Sequence, residues 1–229
     1  AAFALTPLLL AADAPGKEGT ADLLGEMLSK GAGSRTALQF AQAVDGAGGS
    51  LGFGSSREAI VANAQFLSKD SALMLSLLAD ALLRPTMDAA EFDKLRKRAI
   101  DGIANAKDSD PRQLIGTYAN GWLFRGHPYG RSTGGEETSL ATITLADLQA
   151  YRQQQMGGDR LVIAIAGDFD ANAVTAQLKQ SFGAWPKASG NLPRVDAKAR
   201  ETGRRVRLVD KPGATQTYCA LANVGSKRG

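Results

Sequence analysis

The chain has 229 residues, 44% of them hydrophobic and 22% charged, a balance typical of a soluble globular protein with one large or two small domains. Its 27 basic and 23 acidic residues give a net charge of +4, but the basic residues are scattered and only 6% of residues are aromatic, so no nucleic-acid partner is predicted. The single Cys219 and the single His127 exclude an internal disulfide and any metal site built from two histidines or a cysteine cluster.

The chain opens with an apolar run from Phe3 to Ala12 that has two interpretations. Ala11-Ala12-Asp13-Ala14 faintly resembles a signal-peptide cleavage site, but no initiating Met and no positively charged segment come before it. The run is too short to span a bilayer, which takes about 20 residues, so no membrane span is predicted. We expect a β-strand followed by a turn at Ala14-Pro15-Gly16. A start within a strand and without Met suggests processing or an incomplete sequence.

A short amphipathic helix is predicted between Gly19 and Gly31. Leu24 and Leu28 lie four residues apart on its apolar stripe, which should pack into the core. Thr20 can cap the start of this helix, and Gly31 suits a left-handed conformation at its end.

The neighbouring face of this helix carries positions 22, 25 and 26, because residues three and four apart stack on one side of a helix. This is the spacing with which an H-x-x-E-H helix holds zinc through two imidazoles and keeps a carboxylate as general base. Here the three positions are Asp22, Gly25 and Glu26.

Alternating helices and strand-like segments continue through the chain. Ser34 is expected to cap a helix from Arg35 to Val44, and the segments Ser50–Ser55 and Ala59–Phe66 should form an antiparallel hairpin. Capping and stop signals predict three more helices: one from Ser68 or Asp70 to Arg84-Pro85, one from Asp88 to Lys107, and one that opens at Asp110-Pro111.

The segment that follows is expected to be a loop from Gly126 to Ser139. After it come a helix from Thr144 to Gln155, a buried strand from Arg160 to Gly167, and a helix capped by Asp170 and closed by Gly183-Ala184-Trp185-Pro186. The densest basic cluster, Lys94 with Arg96, Lys97 and Arg98, lies on a predicted helix and is interpreted as its solvated face.

The pattern predicts an α+β fold, in which helices cover a mainly antiparallel sheet. We expect a first domain at residues 1–190, a linker at 191–205 and the start of a second, similar domain at 206–229. Val206 to Val209 and Thr217 to Leu221 are predicted to be strands, which implies a missing second half.

The ordered set of motifs resembles the pitrilysin/insulinase family of zinc metallopeptidases, in particular its two-subunit branch related to mitochondrial processing peptidase. The resemblance covers nearly the whole chain, and it is the order of the short motifs that is specific. These motifs are Pro15-Gly16-Lys17-Glu18-Gly19-Thr20-Ala21, Leu83-Arg84-Pro85, Asp110-Pro111, Gly126-His127-Pro128-Tyr129-Gly130, Ala166-Gly167-Asp168-Phe169-Asp170, Phe182-Gly183-Ala184-Trp185-Pro186 and Asp210-Lys211-Pro212-Gly213-Ala214-Thr215-Gln216-Thr217.

The resemblance implies that this chain is the first of two similar halves of a subunit, and that two subunits enclose a chamber for unfolded peptides. An active member would carry histidines at positions 22 and 26 and a glutamate base at position 25. The third zinc ligand, a glutamate, would fall near Gly102 or Ile103, and neither can bind zinc through its side chain. The substrate-pairing strand, which carries Asn-Ala in active members, has Gly52-Phe53 here.

These departures imply a chain that folds like the peptidase but does not activate water, because zinc hydrolysis needs both the metal and a carboxylate. In the two-subunit peptidases one subunit carries zinc, and the other lacks the motif but completes the chamber. That other subunit holds substrate with an Arg/Tyr pair on its second half, which would lie beyond Gly229.

The leading hypothesis is therefore a non-catalytic partner subunit of a heterodimeric zinc metalloendopeptidase. It assigns no catalytic, cofactor-binding or metal-binding residue to this chain, and it expects zinc in a homologous HxxEH-bearing partner that acts on unfolded peptides. The periplasm is the preferred compartment, with the mitochondrial matrix as the alternative.

Two other hypotheses remain. The chain could be a structural scaffold, as are the core proteins of a respiratory complex in the same family. Asp22 and Glu26 could also form a cryptic site for a hard cation, since two carboxylates lie one helical turn apart. His127 is interpreted as a residue that fixes its loop by hydrogen bonding.

Overall fold

The computed structural model describes residues 2–7, 12–109, 112–196, 198, 202–213 and 215–225. Within these ranges the chain forms an α+β layer structure of helices on a small antiparallel sheet. The strands are β1 (Ala2–Pro7), β2 (Ser50–Ser55), β3 (Ala59–Gln65) and β4 (Val162–Ile165). The helices are α1 (Thr20–Met27), α2 (Ala37–Gly46), α3 (Ser71–Leu83), α4 (Ala89–Ser109), α5 (Arg112–Leu123), α6 (Glu137–Thr142), α7 (Leu145–Gln155) and α8 (Ala171–Phe182).

The sheet has the order β2-β3-β1-β4, and all of its pairs are antiparallel. The predicted hairpin is confirmed, with Ser50 opposite Gln65 and Ser55 opposite Ile60. The first strand lies in the middle of the sheet, since β1 pairs with β3 on one side and with β4 on the other. Only residues 2–7 of the predicted opening strand are described, and residues 8–11 lie outside the described part.

The helices cover one face of the sheet, so the strands alternate between buried and exposed residues. On β3, Ala62 and Ala64 are buried, while Asn63 and Gln65 point to the other face and are exposed. This alternation is the period of two expected when one face is packed and the other is open.

The core centres on α1, as its apolar stripe predicts. Leu24, Met27 and Leu28 have no exposed surface, and they belong to the same buried cluster as Ile60 of β3 and Leu148 of α7. Burying three such side chains stabilises the fold by several kcal/mol, at about 1.5–3 kcal/mol each.

The predicted capping residue of α1 is wrong. Gly19, with a φ of 101°, is the N-cap and offers no side chain, while the Thr20 hydroxyl donates to the carbonyl of Lys17. The orphan amides of the first turn donate instead to Asp13, from Gly19 N at 3.0 Å and Ala21 N at 3.2 Å. The carboxyl group of Asp13, six residues before Gly19, thus caps α1 in place of a local side chain.

Three further details differ from the sequence prediction. Thr36, not Ser34, caps α2, because it forms a reciprocal capping box with Gln39. The segment expected to be a loop up to Ser139 contains α6, a six-residue helix whose single turn and a half gives little periodicity to read. Strand β4 is not fully buried, since Val162 at its outer face is 56% exposed.

Other predicted boundaries hold. The capping box of Thr144 and Asp147 opens α7, Asp170 accepts from two amides at the start of α8, and Glu91 N donates to Asp88 at the start of α4. The predicted helix start at Asp110-Pro111 lies outside the described residues, although α5 begins at Arg112. Among the described residues, no helix is long and apolar enough to cross a membrane.

The predicted strands near the end of the chain are absent from the described residues 202–213 and 215–225. Val206, Leu208 and Leu221 are 76%, 89% and 103% exposed. A strand requires a partner for its backbone groups, and no described strand lies beside this segment. Lys211 Nζ instead donates to the carbonyls of Lys107 and Asp108 near the end of α4.

Candidate functional site

The face of α1 next to β2 carries the three positions that the sequence singled out. Leu23, Leu24 and Met27 point into the core, which leaves Asp22 and Glu26 half-exposed on the opposite side. The apolar stripe therefore fixes the orientation of the helix, and with it the place of the two carboxylates.

Asp22 is bound to the end of β2. Ser55 Oγ donates to Asp22 Oδ1 at 2.6 Å, and a side chain added at Gly134 would lie 3.6 Å from the other carboxylate oxygen. Burial raises the pKa of Asp22, the Ser55 hydrogen bond opposes this rise, and the charge of Glu26 adds to it. The Asp22 carboxylate is thus engaged within the fold.

Gly25 lies where α1 comes closest to β2. A Cβ placed on Gly25 would meet the carbonyl carbon of Gly54 at 3.4 Å, so helix and strand backbones are nearly in contact. Gly25 itself is buried and supplies no acid or base. The position between the two carboxylates is therefore a packing contact.

Glu26 is bound to another helix. Arg98 of α4 donates from Nη2 to Glu26 Oε2 at 2.5 Å, and the two side chains are 65% and 40% exposed. The other members of the basic cluster pair within α4, Lys94 with Glu91, Arg96 with Asp93 and Lys97 with Asp101. The predicted solvated face is thus correct for Lys94 and Lys97, whereas Arg96 also donates to the Ile143 carbonyl at 2.8 Å and Arg98 reaches across to α1.

The two candidate positions for a further ligand differ in their surroundings. Ile103 is partly buried and packs against the core. Gly102 is exposed, and nothing lies within 4 Å of where its side chain would start. Gly102 follows Arg98 by one helical turn, so both lie on the same side of α4.

The contacts of Asp22 and Glu26 do not favour a shared cation. The two carboxylates turn to different partners, a hydroxyl of β2 and a guanidinium of α4. Across the described ranges, no group of three or more His, Cys, Asp or Glu side chains is placed to hold a metal ion. Two engaged carboxylates beside a glycine do not offer the tetrahedral nitrogen and oxygen donors that zinc prefers.

Strand β2 lies at the edge of the described sheet. Gly52 is exposed, and Phe53 turns inward and packs against the core. A strand edge leaves backbone N–H and C=O groups free to bind an extended chain. The Gly52-Phe53 pair thus lies on an edge strand that also contacts α1.

His127 makes the contacts of a residue that fixes a loop. Its Nδ1 accepts from Tyr129 N at 3.1 Å, its Nε2 lies 2.8 Å from the Asp196 carbonyl, and its ring packs against Phe124. The Tyr129 hydroxyl donates to Glu58 on the β2–β3 turn. This loop thereby joins the hairpin to the segment after α8.

Sequence reasoning missed three residues around this site: Asp13, Ser55 and the cross-helix role of Arg98. Asp13 lies in a run that resembles a signal-peptide cleavage site, and this pattern gives no indication of a capping role. Ser55 is the last residue of a glycine-rich strand and belongs to no recognisable motif. Arg98 did carry a signal, because it lies four residues before Gly102 on the same helical face.

Comparison with known proteins gives a single family over nearly the whole chain. The family model described as Insulinase (Peptidase family M16) matches residues 11–137, and the one described as Peptidase M16 inactive domain matches residues 142–228. The second description concerns a part of the chain that contains none of the three motif positions.

Among curated proteins, an uncharacterized zinc protease of Mycobacterium tuberculosis is 31% identical over 208 residues, which are 89% of this chain and 46% of that protein. The mitochondrial-processing peptidase subunit beta of Blastocladiella emersonii is 28% identical over 215 residues, 94% of this chain and 45% of that protein. The chain thus spans about half the length of these relatives.

Solved structures agree. A peptidase M16 inactive domain from Pseudomonas fluorescens superposes with a TM-score of 0.79 and 25% identity, covering 87% of this chain and 48% of the other. Pitrilysin superposes with a TM-score of 0.73 at 16% identity, covering 86% of this chain and 21% of the other, which shows a shared fold.

Proposed function

Because the chain belongs to the insulinase family of peptidases, M16, we propose that it is a non-catalytic partner subunit of a heterodimeric zinc endopeptidase. The observation that carries the proposal is the state of the motif face of α1. Asp22 is bound to Ser55, Gly25 offers no carboxylate, and Glu26 is paired with Arg98.

Zinc hydrolysis needs a metal that acidifies water and a base that removes its proton. The residues present fit neither requirement, since Gly25 stands where a base would be and both flanking carboxylates are engaged by other groups. We therefore expect zinc in a homologous partner that carries H-x-x-E-H, and no cofactor in this chain.

The role left to this chain is to complete a chamber for unfolded peptides. The exposed edge of β2 can add an extended peptide as a further strand, a mode in which backbone hydrogen bonds supply affinity without a chemical step. Relatives named as subunits of a processing peptidase, such as that of Blastocladiella emersonii, support a paired assembly.

The periplasm is our proposed compartment, and the mitochondrial matrix is the alternative. Both bacterial proteins and mitochondrial-processing peptidase subunits occur among the relatives. Fractionation of the native cell with an antibody against this chain would decide between them.

The test begins with the full-length protein that contains this chain. Purified alone, it should bind no stoichiometric zinc and should cleave no unfolded peptide, while mixing with the copurifying H-x-x-E-H protein should give chelator-sensitive cleavage. Chelator-sensitive cleavage by the full-length subunit alone would overturn the proposal. Copurification with a membrane respiratory assembly would favour the scaffold hypothesis instead.

A double substitution sharpens this test. Asp22→Ala with Glu26→Ala should leave the activity of the assembled enzyme within about twofold, because neither carboxylate takes part in the chemistry. Loss of most of the activity, in a variant whose circular dichroism and melting temperature match the natural protein, would instead support the cryptic cation site.

A further inference from the structure

We propose that Arg98 supplies the positive charge at the altered motif face of α1. Its guanidinium joins α4 to α1 where a metal would otherwise do so. It also keeps metal out even when metal-binding side chains are introduced beside it. This inference builds on the proposed function, because both start from the altered motif. It concerns the affinity of the site for metal, however, and it is tested without any measurement of peptidase activity.

The first step is the position of the guanidinium. Arg98 Nη2 lies 2.5 Å from Glu26 Oε2, so a positive charge touches the side chain at the last of the three motif positions. Asp22 lies one helical turn before Glu26 on the same face of α1. The guanidinium therefore stands at the face on which the family would hold a metal.

The second step is the relation of Arg98 to Gly102. The two residues are one turn apart on α4, and the space in front of Gly102 is open for at least 4 Å. A metal bound jointly from positions 22, 26 and 102 would have to lie between α1 and α4. The contact between Glu26 and Arg98 crosses the same gap.

The third step is electrostatic. An arginine stays protonated under all ordinary conditions, so its charge cannot be removed to admit a metal. A fixed positive charge beside a divalent cation weakens binding, and the effect is reduced but not abolished by solvent where the side chain is partly exposed. We expect a reduction in metal affinity of at least tenfold.

The neighbouring Lys97 provides a matched control. It lies on the same helix with the same charge, but it pairs with Asp101 of α4 rather than with α1. Removing the charge of Lys97 should therefore leave the motif face unchanged.

The main experiment compares three variants of the full-length protein. The first carries Asp22→His and Gly102→Glu and keeps Glu26, so that its contact with Arg98 stays in place; the second adds Arg98→Gln, and the third adds Lys97→Gln instead. Zinc dissociation constants are measured by competition with a chromophoric chelator, and folding is checked by circular dichroism. Gly25 is left in place, so that no base is restored.

We expect the variant with Arg98→Gln to bind zinc at least tenfold more tightly than the first variant, and the variant with Lys97→Gln to stay within twofold of it. Equal affinities with and without Arg98 would overturn the proposal, and so would an equal gain from Lys97→Gln. Cleavage by the natural full-length subunit alone would overturn the proposed function and leave this comparison unaffected.

A second measurement needs no redesigned site. Glu26→Gln, Arg98→Gln and the double variant are compared with the natural protein by urea unfolding. Because the pair is partly exposed, each single change should lower the folding equilibrium constant by a factor of about two to five, and the double variant should lower it by less than the product of the two factors. Strictly multiplicative effects would show that Arg98 does not hold α1, and would overturn the proposal.

Discussion

At the scale of single residues, Asp13 is the least expected feature of the fold. It is 2% exposed, and it accepts hydrogen bonds from the amides of Gly19 and Ala21 at the start of α1. Burial raises its pKa to about 6 despite these two bonds, with a smaller contribution from the nearby charge of Glu18. The helix is thus held by a carboxyl group that titrates close to neutral pH.

The titration of Asp13 predicts a loss of stability as pH rises. The folded pKa of about 6 lies above the ordinary value of 3.8, so the folded chain retains a proton that the unfolded chain has released. The stability contributed by this proton is present in full below about pH 4 and is lost as pH rises through 6, by on the order of 1–3 kcal/mol.

Urea unfolding between pH 4 and 7 measures this effect by comparing the natural protein with Asp13→Asn. The unfolding free energy of the natural protein should fall relative to that of Asp13→Asn as the pH rises from 4 to 7. Other carboxyl groups contribute to both proteins, so their effects cancel in this difference. Parallel pH profiles would show that Asp13 keeps an ordinary pKa.

Leu24 tests the packing role of the motif helix. It is completely buried at the centre of the core, so Leu24→Ala should lower the unfolding free energy by about 2–5 kcal/mol. Leu38→Ala is the control, because Leu38 is 67% exposed and its loss should cost less than about 0.5 kcal/mol. Similar losses in the two variants would contradict the orientation of α1.

At the scale of elements, the sequence predicted what periodicity and local capping determine. The bounds of β2, the capping box that opens α7 and the Asp88 cap of α4 follow from neighbours a few residues apart. The cap of α1 by Asp13 and the pairing of Glu26 with Arg98 depend on tertiary folding, and in the second case on residues 72 positions apart. The sequence motif shows that the metal-binding side chains are absent, but only the fold shows which groups contact the residues that replace them.

Arg160 joins α7 to the segment that follows α8. It is 8% exposed and donates to the carbonyl of Gln155 at 3.1 Å, to the Gln155 side chain at 3.0 Å and to the carbonyl of Gly190. This guanidinium holds the segment at Gly190 against α7, together with backbone hydrogen bonds from Ser189 N to Gln153 O and from Gly190 N to Gln154 O.

Arg160→Met should lower the unfolding free energy by about 1–3 kcal/mol, because it leaves buried carbonyl oxygens without donors. Arg194→Met serves as the control, since Arg194 pairs with Asp196 and both side chains are more than 80% exposed, at 91% and 84%. Thermal or urea unfolding of the full-length variants gives both values, and equal effects would contradict the buried role of Arg160.

At the scale of the whole molecule, the helices and strands of the described part lie between residues 2 and 182, while the described residues from 202 on form no helix or strand and are mostly exposed. Under the proposed boundaries, with a linker at 191–205 and a second domain from 206, Val206 and Leu208 belong to that second domain, and their apolar side chains lie open to solvent here.

The single cysteine allows a test of the proposed second domain. Cys219 is exposed in this chain, and it lies within the segment from Thr217 to Leu221 that the sequence predicts to be a strand. In the full-length protein it should react with a thiol reagent at least tenfold more slowly than after denaturation in urea. Equal rates in the native and denatured protein would show that the region around residue 219 is not packed into a second domain.

The central place of β1 also has a consequence for biosynthesis. One neighbour of this strand, β4, begins at residue 162, so the sheet cannot close until most of the chain has been made. At a synthesis rate of about 5–20 residues per second, roughly 8–30 s pass between the synthesis of β1 and that of β4. During this interval an apolar strand with one unpaired edge is available to chaperones or to a nascent neighbour.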